Sequence, residues 1–119
     1  MRIIILLCIN ITVLFKHLQS TDCFVEYQNS LDAKITCTKI SHSNTILITW
    51  KKDNKFIAAY GICGPVILNK FKGKIQYLSK SFNESTILVK NVSLLGGCYV
   101  CTFNFLPSKN NEKGVVCLT

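Results

Sequence analysis

Arginine is almost absent from this chain of 119 residues: Arg2 stands alone against thirteen lysines. Acidic residues are scarce too. The six of them, Asp22, Glu26, Asp32, Asp53, Glu84 and Glu112, are scattered, with no pair at a spacing that suits acid–base catalysis. Of the two histidines only His42 lies beyond the first twenty residues, in the polar turn "ISHSN", far in sequence from any nucleophile it would activate. These shortages argue against an enzyme. The lack of an arginine–aromatic platform argues against nucleic acid as a partner. No segment carries a 3.6-residue apolar period with helix caps, so little helix is expected.

Long apolar runs are also few. Ile3 to Phe15 spans thirteen residues, about 20 Å as a helix against a bilayer core of about 30 Å, and is too short to cross. Arg2 before it and Ser20 after it complete the pattern of a secretory leader. Residues 1–20 are read as that leader, with cleavage after Ser20, and 21–119 as one domain. No second run follows, so the chain is expected to be secreted, and membrane-anchored only as part of a longer product. Loss of Arg2 and Lys16 would lower the formal charge from +8 to +6. Lys70, Lys72 and Lys74 alternate and share one strand face, which points to solvent or to an anionic surface.

What is present is β-like. Short β-branched or alternating stretches fill Ala33–Lys39, Thr45–Lys52, Phe56–Tyr60, Lys74–Leu78, Ser85–Lys90, Gly97–Phe105 and Gly114–Thr119. Polar connectors such as "KDNK" and "PSKNNEK" separate them, the pattern of an all-β sandwich or barrel. Six cysteines follow the leader, Cys23, Cys37, Cys63, Cys98, Cys101 and Cys117, an even number that suits disulfides in a small secreted domain. A zinc site would need several of them reduced, so no metal and no cofactor is expected, and no small-molecule substrate.

Strand parity assigns the cysteines. In "GGCYVC", Cys98 and Cys101 are three apart and face opposite ways, so they do not bond each other. Cys101 shares its inward face with Tyr99 and Phe103, and Cys37 in "AKITCTK" is the inward partner expected for it. Trp50 lies thirteen residues after Cys37, and Tyr99 two before Cys101. Cys…Trp…Tyr-x-Cys is the pattern of an immunoglobulin-like V-type β-sandwich, with Trp50 and Tyr99 in the core. A turn centred on Pro107-Ser108 pairs residues whose numbers sum to 215, setting Cys98 opposite Cys117 for a second disulfide. Cys23 and Cys63 stay unassigned: a bond between them and a free or intermolecular Cys63, linking a dimer, are both open. Asn83-Glu84-Ser85 and Asn91-Val92-Ser93 are glycosylation sequons.

The stretches "ILITWKK", "STILVKNVSLLGGCYVCTFN" and "GVVCLT" resemble the N-terminal V-type domain of OX-2 membrane glycoproteins. That family has a W-x-K-K strand, a G-C-Y-x-C-x-F-N run and a closing A-C-L-T, and the likeness covers Ala33 to Thr119. It implies the Cys98–Cys117 pair and a ligand for the inhibitory OX-2 receptor on myeloid cells. Large DNA viruses encode such ligands, and the Lys, Ile and Asn bias of A/T-rich codons is similar to that of poxviral proteins. The implied contact face carries Thr49, Lys51, Val100, Thr102, Asn104, Lys113 and Val115, with Phe105 and Leu106 as an exposed apolar tip. The chain departs from V-type domains at Leu95, where an acid usually pairs with a base such as Lys72 or Lys74.

Overall fold

The computed structural model describes residues 21–105 and 111–118. The leader, its cleavage point after Ser20, the Pro107-Ser108 turn and Leu106 lie outside the described residues.

Among the described residues nine antiparallel strands form two sheets: β1 (Asp22–Tyr27), β2 (Ala33–Thr38), β3 (Thr45–Lys52), β4 (Lys55–Gly61), β5 (Gly64–Ile67), β6 (Ile75–Tyr77), β7 (Glu84–Val89), β8 (Gly97–Phe105) and β9 (Glu112–Leu118). One sheet runs β1-β2-β7-β6 and the other β5-β4-β3-β8-β9. Four strands against five, in this order, is the V-type immunoglobulin arrangement. A 3-10 turn (Asn69–Phe71) leads into β6, and a one-turn helix, α1 (Val92–Leu95), joins β7 to β8.

Alternation places the core between the sheets. Along β8, Tyr99, Cys101, Phe103 and Phe105 are buried while Val100, Thr102 and Asn104 are half-exposed. Ile35 and Cys37, Ile48 and Trp50, and Ile87 and Val89 answer them from β2, β3 and β7. The β3–β4 hairpin turns on Asp53 and Asn54, whose φ values of 48° and 70° make the two-residue turn that fits strand twist. Tyr99 donates its hydroxyl to the Leu95 carbonyl at 2.6 Å, tying β8 back to α1 as a tyrosine corner. The Glu112 carboxylate, buried at the start of β9, accepts from the backbone N–H groups of Ile40 and Ser41 and closes the β2–β3 loop onto the five-stranded sheet.

The cysteines correct one expectation. Cys37 is bonded not to Cys101 but to Cys23. The cause is β1, which the sequence reading leaves unassigned: it lies beside β2 in a register that sets Cys23 directly opposite Cys37, with Cα atoms 4.1 Å apart. A neighbour on the same sheet thereby takes the sulfur that would otherwise reach across the sandwich. Cys101 is a buried thiol and Cys63 an exposed one, so Cys63 is not bonded to Cys23. Cys98 is bonded to Cys117, and the β8–β9 register pairs Val100 with Val115 and Thr102 with Lys113, as the sum of 215 requires.

Two tyrosines tie this core to alkaline pH. Burial pushes the Tyr77 phenol up to about 12, and burial also raises that of Tyr99. Their neutral forms therefore contribute stability that is intact below an unfolded tyrosine's value near 10 and is lost as pH climbs toward 12. In an alkaline titration, the phenolate signals of Tyr77 and Tyr99 should rise together with the loss of near-ultraviolet circular dichroism. A Tyr77 that ionised near pH 10 with the fold intact would contradict the packing.

Candidate interaction face

The outer face of the five-stranded sheet is built in cross-strand rows. Val66, Ala59, Thr49, Thr102 and Lys113 face one another in turn across β5, β4, β3, β8 and β9. Phe56, Lys51, Val100 and Val115 form the adjoining row, and Leu47 with Asn104 a third. All seven strand residues expected on this face, from Thr49 to Val115, thus come together on it. Their neighbours are fixed by local contacts: Lys51 Nζ sits 4.6 Å from the Phe56 ring centre, and Asn104 Nδ2 donates to the Leu47 carbonyl at 3.2 Å.

The tip expectation fails at Phe105. Its side chain is only 8% exposed and packs at the end of the core, with Lys39 Nζ 5.9 Å from its ring. The strand simply continues through residue 105, so Phe105 keeps the inward parity of Cys101 and Phe103. It cannot anchor a partner.

Beside the expected Val115, this face carries apolar residues that parity along β3, β8 and β9 does not reach. Phe56, Val66 and Val115 are each more than half exposed, and Ile62 is almost wholly so. Beside them a shallow groove of about 440 Å³ is lined by Ile46, Leu47, Ala59, Ile62, Cys63 and Val66. Alternation in "KFIAAYG" carries the Phe56 signal, but a bulge opposite Trp50 and Lys51 breaks the period, and both Ile57 and Ala58 are buried. Chemistry is sparse here: His42 is exposed in its loop, and no three of His, Cys, Asp or Glu gather among the described residues.

Neither sequon interrupts the face. Asn83 is exposed in the β6–β7 connection, and Asn91 precedes α1 in a left-handed conformation, with Ser93 Oγ donating to its Oδ1.

No family model matches the chain, and no curated protein matches it in sequence. Among solved structures, the chain is similar to the twitchin kinase fragment of C. elegans, an autoregulated protein kinase with immunoglobulin domains. Identity is 17% over 84% of this chain and 19% of that one, with a TM-score of 0.52. It is also similar to the V domain of amphioxus IgVJ-C2, at 20% identity over 81% of this chain and 84% of that one, with a TM-score of 0.46. The chain spans under a fifth of the twitchin fragment, and the likeness shows the fold alone. With the strand order it makes this an immunoglobulin-like V-type sandwich.

Proposed function

We propose that this domain is a viral mimic of the OX-2 glycoprotein, of poxviral type, that binds the inhibitory OX-2 receptor on myeloid cells and damps their activation. The observation that carries the reading is the convergence of Thr49, Lys51, Val100, Thr102, Asn104, Lys113 and Val115 on one uninterrupted sheet face. Exposed Phe56, Val66 and Val115 give that face apolar anchors, and its lysines a polar rim. Glycans at Asn83 and Asn91 would leave it bare. The exposed Cys63 thiol is free to link two copies of the ligand. Disulfide bonding suits an extracellular setting, and no helix among the described residues is long and apolar enough to cross a membrane.

The test is surface plasmon resonance of the secreted protein on the OX-2 receptor ectodomain. Saturable binding competed by the host ligand is expected. Thr102 sits between Thr49 and Lys113 and beside Val100 and Asn104 on β8, amid the proposed contact residues, so Thr102→Arg should weaken binding by about 30-fold, the loss of a hot spot, while leaving circular dichroism unchanged. Wild-type affinity in that variant would place the contact on another face. No binding by a folded sample would leave a binding module with a different partner.

A further inference from the structure

At the end of the sandwich near α1, lysines from separate segments crowd around two adjoining clefts. One, of about 260 Å³, is lined by Lys52, Lys55, Lys70 and Lys74 with Asp53, Phe71 and Leu95. The other, of about 300 Å³, is lined by Lys74, Lys90 and Asn91 with Leu94 and Leu95. Lys74 and Leu95 belong to both, so the two form a track with Lys74 at its centre.

The track holds more positive charge than it balances. Its one carboxylate, Asp53, is engaged by Lys52 Nζ at 2.9 Å and by the Cys98 N–H at 3.1 Å. These contacts, the lysine's first, hold the Asp53 carboxyl below the usual range. The other ion pair among the described residues, Lys34 with Glu26, lies elsewhere. Lys55, Lys70, Lys74 and Lys90 are exposed and have no carboxylate partner there. Leu95 offers an apolar wall shared by both clefts and no charge to balance Lys74. Four like charges held within one concave surface repel each other until an anion enters, and the field inside a cleft is focused rather than spread.

We propose that Lys52, Lys55, Lys70, Lys74 and Lys90 form a binding track for a sulfated polysaccharide. A linear polymer with sulfates at short repeats places charges in both clefts at once, which a single small anion does not. Lysine ammonium groups are point charges that suit sulfate without a bidentate fork. A single-stranded nucleic acid would want aromatic platforms for its bases, and the one ring lining the track, Phe71, is half-buried. Anionic lipid faces the cytoplasm, whereas a disulfide-bonded chain belongs on the other side.

The test uses the full secreted chain and a size-defined heparin oligosaccharide, by calorimetry. Asn91 lines the second cleft, so Ser93→Ala is carried throughout to remove the sequon. The Lys70→Glu/Lys74→Glu variant should bind at least 10-fold more weakly. Lys34→Glu/Lys80→Glu, with the same change in net charge at sites that line neither cleft nor the receptor face, should stay within about 2-fold. Neutralising about three charges predicts a roughly 20-fold loss of affinity between 50 and 200 mM salt, with a polyanion slope like that of single strands. The desulfated oligosaccharide should not bind. Equal loss in the two variants would reduce the effect to net charge and overturn the site. Equal binding of the desulfated sugar, of single-stranded DNA or of phosphatidylserine vesicles would overturn the ligand class. Neither result bears on the receptor face.

Discussion

Replacing Cys101 with alanine is expected to leave both disulfides in place and to cost about 1–2 kcal/mol, the packing lost with one buried sulfur. Replacing Cys37 is expected to cost about 3 kcal/mol or more. Cys23 and Cys37 are separated by 14 residues, and closing a loop of that size stabilises by about 3 kcal/mol in the chain-entropy account. Alkylation should mark the same difference. In the native protein Cys63 is exposed and should react, whereas Cys101 is fully buried and should react only after unfolding. Burial also pushes the Cys101 thiol well above its usual range, only partly offset by the Ser85 hydroxyl, so little thiolate exists to react at neutral pH. Peptide mapping that found Cys37 linked to Cys101, with Cys23 alkylated, would reverse the assignment. Loss of Cys101 would then cost about 4 kcal/mol, the value for a loop of some sixty residues.

That expectation differs from the one parity alone suggests, and the difference shows what was legible. The ends of β3 and β8 are legible, because Thr45–Lys52 is rich in β-branched residues and Gly97–Phe105 alternates without interruption. The V-type frame followed from Trp50, Tyr99 and the cysteines, and the contact face followed from parity along β3, β8 and β9. Two edge strands were missed. In β1, Phe24 and Tyr27 are apolar on positions that prove exposed, so no clean period marks "DCFVEY". In β5, four residues including Gly64 and Pro65 read as a turn, although proline is tolerated on an edge strand. Missing β1 hid the partner of Cys37, and missing β5 hid Val66 and the groove. The basic track was hidden for another reason. Lys52, Lys55, Lys70, Lys74 and Lys90 come from separate segments, and only the closed fold brings them side by side.

Ser85→Ala is expected to be the most costly loss of a single oxygen in the molecule. The Ser85 hydroxyl is fully buried, accepts the Trp50 indole N–H at 2.8 Å and shares a hydrogen bond with the Tyr77 hydroxyl at 2.6 Å. It stands opposite Cys37 in the β2–β7 register and reaches the Cys101 thiol. Alanine would leave the Trp50 N–H unpaired in the core, at about 1–3 kcal/mol. Tyr77 would lose one partner while its ring stays stacked on Tyr60, 5.4 Å away. A fall in stability of about 2–3 kcal/mol corresponds to a drop in Tm of about 10 °C or more in a domain of this size. Trp50→Phe made together with Ser85→Ala removes the donor as well as its acceptor. The pair should therefore cost less than the sum of the two single changes by at least about 1 kcal/mol. Strict additivity would mean that the indole N–H does not depend on Ser85, and that packing alone holds Trp50 between the sheets.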